Sequence, residues 1–447
     1  MKTMMRLMGL MRPMRLMRLM RPMRPMRPMR PMRLMRPMRL MRPMRPMRLI
    51  GPMVLVALMG LTACDPEPPL HLFDSGNIDI DMPAVKLDLE SYWDYEVVYG
   101  EYESVTGRYD WREEWFYDWD SFDEQLWGPI GYSEPEAYML RRYYTGSEPY
   151  VPHTKVYANT IKGSTFHGQC SWGFWDMLVW NDVATVDGVQ SLNFDETTTL
   201  DSVFVFTNPS MNPARYQAPR YTRAFYQPEE LFSAYEQGID INRELRGFDY
   251  DPVTNTYIKR LNMTLEPVTY IYLTQVILHN NNGRITAVDG NGNLSGMSHS
   301  ANINTGTAGN DAITVYYYVN LKKNLPLVPY GTPADDPTRL TAEHADIIGG
   351  RLTTFGMCGQ TPRNIHHVEE VTDKNRHYMD VTMQFNNGMD STFVFDVTRQ
   401  VQRRWKGGVI TVELDVDTVS IPSRKGGSGF DAVVKDVEDG GTWEFPM

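Results

Sequence analysis

Past residue 69 the chain is written in short apolar runs rich in Val, Tyr, Phe, Ile and Thr. Gly, Asn, Asp and Pro interrupt them at intervals of roughly 8–15 residues, the rhythm of an all-β protein. It predicts strands over residues 203–206, 269–278, 313–321, 378–385, 392–397 and 409–416. Asn281-Asn282-Gly283, Asn386-Asn387-Gly388 and Lys406-Gly407-Gly408 read as hairpin turns, because glycine supplies the positive φ that tight turns need. One short helix is predicted over residues 228–235, with Pro228 in its first turn and Gly238 beyond its end. The polar stretch at Asp251-Pro252, before a fresh run of strands, is the expected domain boundary. It divides the chain into β-sandwich domains over 85–251 and 252–447.

One stretch departs from this rhythm. In residues 109–127 (YDWREEWFYDWDSFDEQLW), Trp111, Trp115, Trp119, Phe122 and Leu126 recur at helical spacing with acids between them, which predicts one amphipathic helix. Aromatic faces flanked by carboxylates also suit a sugar ligand, so Trp111, Trp115 and Trp119 are candidate ligand contacts. Packing of these large rings against a sandwich is the commoner use of such residues.

Composition then separates two unlike pieces. The formal charge of the 447 residues is −11, yet residues 1–63 hold 15 Lys and Arg with no Asp or Glu. The other 384 residues carry 29 basic against 55 acidic side chains, a balance of −26. That excess argues against a nucleic-acid partner, since phosphate neutralisation needs clustered Lys and Arg. Methionine follows the same division, with 19 of 30 in the first 63 residues, at every third position from Met5 to Met47. Nine prolines there forbid a long regular helix, and a three-residue period matches neither 3.5 nor 3.6. The segment reads as a low-complexity run joined to a signal peptide. A start at Met44 would leave a 20-residue leader with Arg45 and Arg48 as its basic end.

Residues 49–63 (LIGPMVLVALMGLTA) are uncharged and too short to span a bilayer comfortably, but they suit a signal-peptide apolar core. They run into Leu61-Thr62-Ala63-Cys64, which resembles a bacterial lipobox. The resemblance implies cleavage before Cys64 with Leu61, Thr62 and Ala63 as the peptidase recognition residues. It also implies a Cys64 thiol carrying diacylglycerol, with an N-acyl chain on its amine. Several acyl chains anchor stably where one does not. No other cofactor is called for. Residues 64–84 open with Asp65-Pro66-Glu67-Pro68-Pro69, a proline-stiffened spacer whose acids resemble the surface-export signals of Bacteroidetes lipoproteins. Cys170 and Cys358, far apart in apolar runs, read as two buried thiols rather than a bridge.

Three further segments carry a family resemblance. Residues 173–182 (GFWDMLVWND), the turn Leu294-Ser295-Gly296-Met297-Ser298, and Thr354-Phe355-Gly356 followed by the 380–401 hairpin resemble, in this order, the fimbrial anchor and minor-subunit lipoproteins of Bacteroidetes. The resemblance implies two tandem transthyretin-like β-sandwiches and assembly into type V pili by strand exchange. It further implies an outer-membrane, surface-exposed position, with the membrane and other pilus subunits as partners. Arg-directed cleavage in that family makes Arg108, Arg112, Arg141 and Arg142 candidate sites. Arg141-Arg142 lies in an expected strand, which favours an uncleaved anchor or accessory subunit. Asp201-Ser202-Val203 and Asp417-Thr418-Val419 resemble the family's O-glycosylation acceptor, and both also read as strand starts. The rival reading is a free-standing glycan- or host-ligand-binding lipoprotein.

Enzymatic and metal chemistry find little support. Asp289-Gly290-Asn291-Gly292-Asn293 has the alternating oxygens of a calcium loop but lacks its glycine at position 6 and acid at position 12, so a hairpin turn is expected. His366 and His367 would point to opposite faces of a strand, and no metalloprotease motif accompanies them. Neither a glycine-framed nucleophilic serine nor a P-loop occurs.

Overall fold

The structure is a computed structural model that describes residues 84–91, 109–183, 191–195, 203–210, 224–253, 255–361, 375–422 and 432–434. Every described residue belongs to one compact unit, residues 78–447. The fold is all-β, built on three sheets with a few one- or two-turn helices.

The first sheet holds β1 (Ala84–Ser91), β2 (Ala137–Gly146), β3 (Lys155–Lys162), β4 (Thr165–Gln169), β5 (Gly173–Asn181), β9 (Phe232–Ile241), β10 (Phe248–Asp251) and β11 (Thr256–Pro267). Its order is β3-β2-β5-β9-β11-β1-β4, with β10 also on β11. A small second sheet joins β6 (Leu192–Asp195), β7 (Phe204–Thr207), β14 (Ser300–Asn302) and β15 (Thr307–Ala308). The third contains β12 (Tyr270–His279), β13 (Ile285–Ser298), β16 (Ala312–Pro326), β17 (His344–Thr354), β18 (Tyr378–Phe385), β19 (Asp390–Asp396), β20 (Gly408–Asp415) and β21 (Ala432–Val434) in the order β20-β12-β17-β16-β13-β18-β19-β21. The short β8 (Ala224–Tyr226) adds to β16. Among the described residues, four α-helices, α1 (Trp111–Glu114), α2 (Ser121–Trp127), α3 (Pro337–Thr341) and α4 (Thr398–Arg403), and a 3-10 turn at Val416–Thr418 complete the set.

Three apolar clusters explain which strands lie deepest. Tyr270, Tyr272, Val276 and Leu278 of β12 point into the core enclosed by the third sheet. Ile271 and Leu273, on the opposite face, meet Trp175, Met177 and Val179 of β5 in a second cluster. The near-continuous apolar run of β12 is therefore that of a strand buried on both faces. The other face of β5, through Leu178 and Trp180, packs with Leu192 and Val205 of the small sheet and with Val203 just before β7.

Several elements differ from the sequence expectation. Residues 228–235 are not helical: 228–231 belong to no helix or strand and β9 begins at Phe232. Asn181 secures the strand entry, accepting from the Phe232 N–H and donating to the Glu230 carbonyl. Gly238, at φ 66°, sits at the irregularity where β9 and β5 slip register. Asp289–Asn293 is no hairpin turn but the middle of β13, with a bulge at Gly290 (φ 81°). The expected Ser-Gly-Met turn at Gly296 is likewise a bulge within β13. The turn at Asn386-Asn387-Gly388 does join a hairpin, β18 to β19, whereas Asn281-Asn282-Gly283 leads from β12 to β13, which do not pair with each other, and Lys406-Gly407-Gly408 leads from α4 into β20. Asp251 and Pro252 lie at the β10–β11 hairpin, and β11 is a strand of the first sheet.

Candidate functional site

The aromatic stretch 109–127 folds as two short helices joined by extended chain. Asp110 caps α1 by accepting from the Arg112 N–H, and Asp120 caps α2 in a reciprocal capping box with Asp123. Two caps ten residues apart divide what the helical spacing predicted as one helix. Gly128, at φ 83°, ends α2 with its N–H on the Glu124 carbonyl.

The segment lies between the first and third sheets. Trp111, Trp115 and Trp119 are 3%, 0% and 5% exposed and belong to the cluster that joins β5 to β12, β17 and β20. The structure thus places all three proposed ligand-contact indoles in the interior, where they fill volume between sheets. Gly349 is required beneath them, since a Cβ there would fall 2.3 Å from ring carbons of Tyr117.

Polar groups fix the segment in register. Gln275, fully buried in β12, accepts from the Phe116 N–H at 3.0 Å and donates to the Glu114 carbonyl at 2.7 Å and to Thr411 Oγ1 at 2.9 Å. Arg404 pairs with Glu114 at 2.6 Å and lies 3.8 Å from the Tyr109 ring centroid. Lys322 bridges Asp120 and Asp123, and donates to the Asp118 carbonyl. The hydrogen bond from Lys322 holds the Asp120 carboxyl below the usual range. Of the acids in this segment, Asp123 is buried, Glu114 is partly buried and Asp120 stays exposed, and all three clamp the segment through ion pairs.

At the margin of this seam a smaller aromatic group reaches the surface. Trp127, half-buried at the end of α2, packs on Trp119 and lies with its plane within 9° of the Tyr318 ring, centroids 6.5 Å apart. Sequence reasoning passed over both residues, because Tyr318 sits in an apolar run and Trp127 ends the helical spacing. The signal available was Tyr316-Tyr317-Tyr318, since alternation in a strand sends the outer two to the face opposite the core.

Other singled-out residues have definite places. Arg141 and Arg142 lie within β2, paired on both sides by β3 and β5. The buried Arg142 guanidinium donates to the Gln169 carbonyl at 2.9 Å and Asn159 Oδ1 at 3.0 Å, next to Cys170 Sγ. Burial pushes the Cys170 thiol up, with Arg142 pulling it the other way. Cys170 and Cys358 are both free thiols, the first buried and the second partly so. Asn291 and Asn293 are engaged by Tyr316 and Asp380, and among the described residues no group of three or more His, Cys, Asp or Glu is placed to hold a metal. Leu61, Thr62, Ala63, Cys64, Arg108, Asp201, Ser202, His366 and His367 lie outside the described residues.

The first sheet also has a distinctive open side. β1 pairs in parallel with β11 over all eight of its residues and antiparallel with β4 over five. β3, at the opposite end of the strand order, pairs with β2 alone among the described residues, in unbroken register over eight positions. Six of its eight residues are exposed, including adjacent members of both faces.

No protein-family model matches this sequence, and no curated protein matches it. Among solved structures, the chain is similar to a candidate adhesin from Bacteroides ovatus ATCC 8483, at 13% identity and a TM-score of 0.41, covering 77% of this chain and 98% of that one. A candidate adhesin from Bacteroides thetaiotaomicron VPI-5482 aligns at 10% identity and a TM-score of 0.38, over 77% and 94% of the two chains. The C-terminally truncated tip fimbrial protein of Porphyromonas gingivalis aligns at 7% identity and a TM-score of 0.28, over 70% and 81%.

Proposed function

We propose that this chain is a non-enzymatic, lipid-anchored surface protein that serves as an anchor or minor subunit of a fimbria and joins its neighbours by exchanging β-strands. The observation that carries the reading is β1. An eight-residue strand, the first of the described chain, lies between β11 and β4 and is bonded to both. A strand of another copy or another subunit in the same slot would make the same backbone bonds, so exchange conserves pairing while linking chains. The open edge of β3 supports the reading as well. It has no proline and no bulge, two of the devices that protect an edge from strand addition, and its lysines, Lys155 and Lys162, stand only at its ends. Acylation at Cys64 would tether such a subunit to the outer membrane, with the surface of the cell as its working place.

Cysteines placed at Lys86 and His167, facing positions of β1 and β4, test the idea in a chain whose Cys170 and Cys358 are replaced by alanine. Oxidation on intact cells is expected to give a ladder of disulfide-linked chains, or a mixed product with another surface subunit carrying the matching cysteine. A product confined to the internally closed monomer overturns strand exchange through this slot.

A further inference from the structure

The outward positions of β16 are covered unevenly. Thr314 and Tyr316 are buried, Asn320 is partly buried under Tyr117, and Lys322 is folded over by its acids. Tyr318, between them, is 46% exposed although its neighbours Tyr317 and Val319 are in the core. The aromatic segment covers the sheet on one side of this residue and stops at Trp127. A window is left in which Tyr318 is exposed and Trp127 half-buried.

The two rings are held before any ligand arrives. Trp127 is braced by Trp119 at 5.4 Å, and Tyr318 by the edge of Tyr316 at 5.6 Å. At 6.5 Å between centroids the Trp127 and Tyr318 rings do not eclipse one another, so ring face remains uncovered. Fixed aromatic faces bind with little loss of side-chain freedom. The rim is polar: Asn291 lies directly across from Tyr318 in the β13–β16 ladder, with Asp289 two residues earlier on the same strand. Tyr316 donates its hydroxyl proton to Asn291 Oδ1, which orients the amide.

We infer that Trp127 and Tyr318 form a carbohydrate-binding platform for neutral pyranose sugars, with Asn291 and Asp289 as hydroxyl partners at its rim. A sugar ring offers an apolar C–H face to the aromatic planes and equatorial hydroxyls to flanking amide and carboxylate groups, which an apolar peptide side chain does not. The charge selects the neutral class. The 384 residues beyond the leader carry a balance of −26, Asp289 lies two residues from Asn291 on β13, and the nearby Lys322 is neutralised by Asp120 and Asp123. Uronic-acid polymers would meet repulsion without a compensating cation. This site is independent of strand exchange, since a chain that stacks no sugar still retains its β1 slot.

Affinity electrophoresis of the full chain through gels containing a soluble β-glucan, a mannan, a galactan or polygalacturonate tests the assignment. The wild type is expected to be retarded by at least one of the three neutral polymers and not by polygalacturonate. Trp127→Ala and Tyr318→Ala should each weaken that retardation about tenfold, a loss of about 1.4 kcal/mol. Tyr318→Phe should keep it. Phe122→Ala, which removes a 57% exposed ring from the same helix, should leave it unchanged. Melting midpoints verify that the variants fold. Retardation by no neutral polymer, retardation by polygalacturonate alone, equal binding by both alanine variants, or an equal loss in Phe122→Ala would each overturn the proposal.

Discussion

β12 and β3 are strands of similar length with opposite fates. Nine of the ten residues of β12 are buried, because sheet lies against one face and the aromatic segment against the other. Only Ile161 of β3 is buried, and one long side of the strand has no described partner. Both are hydrogen-bonded ladders; the difference lies in what covers them. Burial on both faces makes a strand carry stability, whereas an uncovered edge is free to carry association.

Substitutions that tell the two kinds of region apart can be ranked. Trp115→Ala, in the seam against β12, should cost about 3–5 kcal/mol in denaturant unfolding, because a fully buried indole leaves a cavity that sheets on either side cannot close. A loss near zero would mean that the seam is loosely packed.

Asp380 sharpens the comparison by showing what a polar residue costs in a doubly covered strand. Burial pushes its carboxyl up to about 7, against which Asn293 offers one hydrogen bond at 2.8 Å. The folded state therefore holds the proton more tightly than the unfolded chain. The protonated carboxyl favours folding below the unfolded value near 4, and that advantage is lost progressively as pH rises toward 7. Asp380→Asn should remove this slope and stabilise the protein above pH 7 by up to about 4 kcal/mol. Parallel stability-versus-pH curves for the two proteins would show that the carboxyl is solvated.

Gln275→Leu should cost about 1–3 kcal/mol in equilibrium unfolding, since the Phe116 N–H and Glu114 carbonyl lose their partner inside the seam. Smallest of all, Val156→Thr on the exposed edge should change stability by less than about 0.5 kcal/mol. A larger effect there would show that β3 is covered in solution.

The strand pattern was legible where both faces or alternate faces are apolar. Residues 378–385 were read with the bounds of β18, and 269–278 falls within one residue of β12 at either end. What escaped depends on partners distant in sequence. Pro228 and Gly238 are as compatible with a strand entry and a bulge as with a helix, and the side chain of Asn181 decides it. Asp289-Gly290-Asn291-Gly292-Asn293 has turn composition, yet Tyr316 and Asp380 engage its amides and keep it in the sheet. The tryptophan spacing announced an amphipathic element but not that sheet would lie on both sides of it. The platform residues gave still less, because exposure at Tyr318 follows from where another segment ends.

The clamps on the aromatic segment also impose an order of events during synthesis. Glu114 waits for Gln275, 161 positions later, and for Arg404, 290 positions later; the Tyr109 hydroxyl receives the Val409 N–H across 300. At ribosomal speeds of about 5–20 residues per second, that gap is about 15–60 s. Throughout it, a cluster of tryptophans has been made but has no sheet to enter. A newborn chain of this design needs a holding chaperone more than a fast folding nucleus, and truncation ahead of Arg404 would leave its stickiest surface without these partners.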